Sequence, residues 1–138
     1  KPLTLHLYNR RNKSLVNMTL SVKNGLVYVD IIFDEKINAK HAKGTIYLFG
    51  YNKKRSFSNM PKTYLSFRAG EWNLYTQNKR IAKAKGASFR INQYSCKIRI
   101  PMYELDNPQR LFIQADIYLE LNTMSIPWQI INIKPDST

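Results

Sequence analysis

The chain is predicted to be all-β, an antiparallel β-sandwich of about nine or ten strands, jelly-roll or immunoglobulin-like, with little helix. Two observations carry that prediction. Apolar and polar residues alternate with period two over most of the length, the signature of half-buried strands. Gly, Pro and Asn punctuate the alternation at intervals of about 8 to 12 residues, as the corners of a sandwich require. No repeat, low-complexity tract or linker interrupts the pattern, so residues 1–138 are read as one domain. The chain opens on Lys1, which suggests a fragment excised from a longer polypeptide.

Leu3, Leu5 and Leu7 oppose Thr4, His6 and Tyr8 in a first strand, and Val16, Met18, Leu20 and Val22 oppose Asn17, Thr19 and Ser21 in a second. The second runs into Asn24-Gly25. Both residues tolerate the positive φ that a type I′ turn demands, so a hairpin follows, with Leu26 to Phe33 returning. Val27, Val29, Ile31 and Phe33 share one face while Tyr28 and Ile32 flank Asp30 on the other, which predicts a mid-sheet strand with both faces partly covered. Thr45 to Tyr51 places Ile46 and Leu48 on one side and Tyr47, Phe49 and Tyr51 on the other. Such an aromatic row is expected to face the second sheet. Tyr64 to Arg68 and Glu71 to Tyr75 form a hairpin across Ala69-Gly70, and Ile81 to Ala84 and Ala87 to Ile91 are short strands. Cys96, Ile98 and Ile100 alternate with Lys97 and Arg99, turning the thiol inward. Leu111 to Leu121 is the longest strand, and Trp128 to Ile133 the last. Helix is confined to single turns near Lys36 to Ala42 or Met102 to Leu105.

At 43 % hydrophobic and 12 % aromatic, the 138 residues suffice for a core without a staple. One cysteine excludes an internal disulfide, and with only His6 and His41 beside it no zinc site of the usual Cys/His composition can be assembled. No metal or cofactor is therefore expected. The apolar runs are too short for a transmembrane helix. Twenty-two Lys and Arg against nine Asp and Glu give a net charge of +13, unevenly placed. Residues 1–100 hold 20 basic and 4 acidic groups, whereas residues 101–138 hold 2 basic and 5 acidic. Clusters fall at Arg10, Arg11 and Lys13, at Lys36, Lys40 and Lys43, at Lys53, Lys54 and Arg55, and at Lys79, Arg80, Lys83 and Lys85. Any one cluster is explained by solubility and edge protection. Their sum favours a polyanionic partner: an acidic cell-envelope polymer, an anionic membrane surface or nucleic acid.

Catalytic chemistry is not written in the residues. Each histidine reads as a surface group, Cys96 as core, and Asp30, Asp34, Glu35, Asp116 and Glu120 as partners for lysines rather than a paired acid and base. Five glycines allow neither GxGxxG nor a P-loop. The chain is expected to be no enzyme, although it could serve as an accessory domain of one acting on a polysaccharide. Tyr and Trp offer flat faces that stack sugar rings, and Lys and Arg offer contacts to hydroxyl and carboxylate groups. The candidate ligand-binding residues are Tyr51, Lys53, Lys54, Arg55, Trp72, Tyr75 and Trp128. Trp72, beside Leu74, fits the core better than a binding platform.

The segments Ile98-Arg-Ile-Pro-Met-Tyr-Glu-Leu105, Leu111-Phe-Ile-Gln-Ala-Asp116 and Ile126-Pro-Trp-Gln-Ile-Ile-Asn-Ile133 resemble the closing strands of family 9 carbohydrate-binding and DOMON-like sandwiches. Val27 to Asp34 resembles their central strand. The resemblance implies an extracellular or envelope-attached, non-catalytic domain that binds sugar. The leading expectation is thus recognition of an anionic or amino-sugar polysaccharide, such as a cell-wall glycan, through a basic, aromatic surface of a secreted bacterial protein. Two alternatives stand beside it: a nucleic-acid-binding β-domain, and a structural accessory domain docked on an adjoining catalytic domain of the same chain.

Overall fold

The computed structural model describes residues 2–11, 13–77, 79–81, 86–120 and 122–132, of which 79–81 by backbone alone. The described residues form eleven strands: β1 (Leu3–Asn9), β2 (Ser14–Lys23), β3 (Leu26–Ile32), β4 (Lys43–Tyr51), β5 (Lys62–Arg68), β6 (Glu71–Thr76), β7 (Lys79–Ile81), β8 (Ser88–Ile91), β9 (Ser95–Pro101), β10 (Arg110–Leu119) and β11 (Asn122–Asn132). All pairs are antiparallel, in the order β7-β6-β5-β4-β10-β11-β1-β2-β3-β9-β8. Among the described residues helix is limited to 3₁₀ turns at Ala39–His41, Phe57–Asn59 and Met102–Leu105. The all-β, antiparallel expectation therefore holds. Of the predicted strand Ile81 to Ala84 only Ile81 falls in β7; residues 82–85, with Lys83 and Lys85, lie outside the described residues, as do Leu121, Ile133 and the side chains of Lys79 and Arg80.

The two layers are halves of one ladder. β11 and β1 are joined through only two residue pairs, Tyr8 with Ser125 and Asn9 with Met124, and there the sheet turns over on itself. One half is β7-β6-β5-β4-β10-β11 and the other is β1-β2-β3-β9-β8. Their inner faces meet in a single buried cluster that includes Leu7, Val29, Ile31, Leu48, Leu65, Ile98, Ile113 and Met124. Across it, Phe67 of β5 stacks on Phe89 of β8 at 4.6 Å between ring centres. The sequence alternation placed Leu7, Val29, Ile31, Leu48, Ile98 and Ile113 correctly because a buried face allows only one register per strand.

Local chemistry sets the corners. Asn24 and Gly25 have φ of 54° and 75°, as a type I′ turn requires, and Ala69 and Gly70 repeat the geometry at 52° and 87°. Met102–Leu105 folds over one end of the core. It is held by Met102 N–H donating to the Gly25 carbonyl, and closed by Asp106 in the left-handed region with φ of 61°. Gly50 lies directly beneath: a Cβ there would sit 2.3 Å from the Leu105 carbonyl oxygen, so only glycine lets this segment seal the core.

β3 is central in its half of the sheet, between β2 and β9, and its outer face is partly covered by neighbouring side chains: Tyr28 and Asp30 are half-buried, although Ile32 is 58 % exposed. Two expectations are revised. The last strand begins at Asn122 rather than Trp128. The Tyr47, Phe49 and Tyr51 row points away from the second layer, because Ile46 and Leu48 of the same strand are fully buried in the core.

Candidate ligand-binding face

With Ile46, Leu48 and Gly50 inward, the pleat sends Tyr47, Phe49 and Tyr51 out to the opposite face. Cross-strand register extends that row. Tyr47 lies opposite Tyr64 of β5, and Tyr64 opposite Tyr75 of β6. Tyr64 and Tyr75 stack at 4.8 Å and Tyr47 and Tyr64 meet at 5.5 Å, close to the spacing between neighbouring strands.

Trp128 joins the row through a β-bulge. Between the pairs Ile113–Gln129 and Ala115–Ile126, β10 advances two residues while β11 advances three. The extra residue reverses the inward and outward alternation: Met124 and Ile126 are buried before it, and Trp128 and Ile130 point outward after it. Pro127, which has no N–H to donate, sits at this irregularity, where the loss costs the ladder least. The Trp128 indole reaches across β10 to Phe49 at 4.8 Å and Tyr47 at 5.8 Å, and remains 46 % exposed.

Five rings, Tyr75, Tyr64, Tyr47, Phe49 and Trp128, thus form one continuous surface crossing β6, β5, β4 and β11. A second group lies alongside, where Phe112 of β10 opposes Phe49: Tyr51 stacks on Phe112 at 6.0 Å and Phe57 approaches it at 6.3 Å. Surface apolar side chains are ordinarily scattered singly. Eight rings in contact groups on one outer face, two of them exposed and six half-buried against their neighbours, form a platform.

Cations border this face, and several are already engaged. Lys62 Nζ donates to the Phe57 and Met60 carbonyls at 2.7 and 3.2 Å and lies over the Phe57 ring. Arg55 pairs with Asp106 at 2.7 Å and donates to the Asn59 carbonyl. The Arg110 guanidinium lies 5.9 Å from the Tyr51 ring centre. Lys53 and Lys54 are exposed on the turn after β4.

Of the sequence candidates, the structure brings Tyr51, Tyr75 and Trp128 to one face and places Lys53, Lys54 and Arg55 at its end. Trp72 stands apart, since it shares the inner side of β6 with buried Leu74 and packs against the core. Tyr47, Tyr64, Phe49 and Phe112 complete the platform. The period-two pattern already put Tyr47 and Phe49 on one side with Tyr51, but the cross-strand partners needed the register.

His41 Nδ1 is 3.0 Å from Glu120 Oε1, both about half exposed, beside a shallow hollow lined by Arg11, Glu35 and Asn38. Ser14 and Asn9 donate to Asp34 nearby, Asn9 from a fully buried position. Among the described residues no three His, Cys, Asp or Glu side chains converge as a metal site would need, and no helix is long and apolar enough to cross a membrane. Cys96 is buried, and desolvation, with a lesser push from Asp30, raises its thiol from 9.0 to about 12. A thiol so placed is protonated at neutral pH and makes a poor nucleophile. No protein-family model, curated protein or solved structure matches the chain.

Proposed function

We propose that this domain is a non-catalytic recognition module of a secreted or envelope-attached bacterial protein, and that its ligand is an anionic or amino-sugar polysaccharide lying across the aromatic face. The observation that carries the reading is the run of outward-pointing rings in contact from Tyr75 to Trp128, half-buried against one another except for the exposed Trp128. Sugar rings present apolar C–H faces and polar edges, and Tyr and Trp match both with few side-chain torsions to immobilise. A polymer crossing the strands would meet a ring at almost every step, with acidic substituents reaching Arg110, Lys53 and Lys54. The resemblance of the segments 98–105, 111–116 and 126–133 to family 9 carbohydrate-binding and DOMON-like sandwiches motivates the same reading. Nucleic acid is favoured less because Lys62, which lies over the Phe57 ring, and Arg55 are already bonded to protein acceptors.

The test is affinity electrophoresis and calorimetry of the domain against amino-sugar and acidic cell-wall glycans, with Tyr47→Ala and Tyr64→Ala beside it. Binding that weakens by about tenfold or more per ring removed, equivalent to about 1.4 kcal/mol, supports the reading. Absence of binding to every glycan, or binding indifferent to both substitutions, overturns it. Ring-dependent binding of single-stranded nucleic acid alone would assign the face to bases instead.

A further inference from the structure

The outer face of the other half of the sheet has the opposite character. Two adjacent rungs cross β2, β3, β9 and β8: Thr19, Asp30, Lys97, Arg90, and beside it Ser21, Tyr28, Arg99, Ser88. Lys23, at the end of β2, lies 5.3 Å from the Tyr28 ring centre, and the Arg99 guanidinium lies 5.1 Å from it. Lys23, Arg90, Lys97 and Arg99 are all exposed, and Asp30 is the one carboxylate on these rungs. Arg90 and Lys97 are directly opposed on neighbouring strands. Like charges so placed destabilise a sheet, and a sequence selected for stability alone would alternate their sign.

We infer that this face is a second binding site, separate from the aromatic one, for a linear polyanion whose charges are phosphate groups and which carries no bases. Charge complementarity gives the sign of the ligand, since an anion bridging Lys97, Arg90 and Arg99 removes the repulsion that the bare sheet bears. Two guanidinium groups favour phosphate, which they bind in a fork that lysine cannot offer. The lack of bases follows from Tyr28. It is the ring on these rungs, and Lys23 and Arg99 occupy its surroundings, so no open aromatic surface is left for stacking. The inference does not depend on the polysaccharide reading, because the two faces lie on opposite sides of the core and share no residue.

Inorganic polyphosphate is the probe, titrated into the whole domain over a series of salt concentrations. The triple variant Arg90→Gln, Lys97→Gln, Arg99→Gln is compared with Lys36→Gln, Lys40→Gln, Lys43→Gln, which loses the same charge elsewhere. The first is expected to weaken binding by more than about tenfold and to reduce the slope of log affinity against log salt by about 2, as three lost phosphate contacts would. The second should change affinity only slightly. Arg90→Lys with Arg99→Lys, which keeps the charge but not the fork, should show intermediate affinity, and a native dichroism spectrum of each variant separates lost binding from lost folding. Equal losses in the two triple variants would reduce the effect to net charge and overturn the site. So would no binding by the parent domain, or clearly tighter binding to a single-stranded oligonucleotide than to polyphosphate.

Discussion

Replacing Leu48 and, in a separate variant, Phe49 with lysine tests which side of β4 faces the core. Leu48 is fully buried among the residues that join the two layers, and Phe49, its neighbour in the chain, is only partly buried. Truncating a buried leucine costs about 2 to 5 kcal/mol, and a charge that must be neutralised or dragged to solvent adds to that, so Leu48→Lys should lose at least about 5 kcal/mol. Phe49 touches Trp128 at 4.8 Å and Tyr47 at 6.1 Å. Each such ring pair contributes about 0.5 to 1.5 kcal/mol, and lysine can lay its alkyl stem over the vacated surface, so Phe49→Lys should lose about 1 to 2 kcal/mol. A domain of this length has a total stability of roughly 7 to 20 kcal/mol, so the second variant folds comfortably and the first is marginal. In urea, with a slope of about 2 kcal/mol per molar, the midpoint should fall by more than about 2.5 M for Leu48→Lys and by less than about 1 M for Phe49→Lys. Equal shifts, or the reverse order, would mean that the aromatic row packs inward, and the ligand-binding platform would not exist.

Gly50→Ala should destabilise the domain by about 3 kcal/mol or more, since its Cβ would meet the backbone oxygen of Leu105 and that segment must move; a thermal melt measures it. Ala69, held at φ of 52° before Gly70, is strained, so Ala69→Asn should stabilise by about 0.5 to 1 kcal/mol in the same assay. With the Cys96 thiol raised from 9.0 to about 12, the unfolded chain releases its proton first as pH climbs above 9. Stability should therefore fall between those limits by up to about 1.4 kcal/mol per pH unit, and Cys96→Ala should lack that component when denaturation midpoints are compared. Trp128 fluorescence, isolated in Trp72→Phe, should be quenched by acrylamide more strongly than that of Trp72 isolated in Trp128→Phe, because Trp128 is 46 % exposed and Trp72 packs on the core.

Some of this arrangement was legible before any coordinates. Alternation assigned Leu7, Val29, Ile31, Leu48, Ile98 and Ile113 to the core, and all are fully buried. Asn24-Gly25 specified its own turn, because the positive φ it needs is a local property. The candidate face was legible only in part. Tyr51, Tyr75 and Trp128 could be named as rings with polar surroundings, but Tyr64 entered through its pairing with Tyr47 and Tyr75, and that pairing depends on which strands become neighbours. Trp128 shows the limit most plainly. Strict alternation from Met124 and Ile126 would turn it inward, and a bulge visible only against β10 turns it outward.

What the linear order of residues determines by itself is the content of each strand: which side is apolar, where the chain reverses, and that cations dominate the first hundred residues. Those are short-range matters, decided by side-chain polarity and the steric limits of neighbouring backbone units. The tertiary structure decided what each face looks out on. One half of the curled sheet displays packed rings and the other displays repelling cations, because ladders such as β4–β10 and β3–β9 align residues more than fifty positions apart, and the partner of a strand is chosen by the whole core and not by the strand.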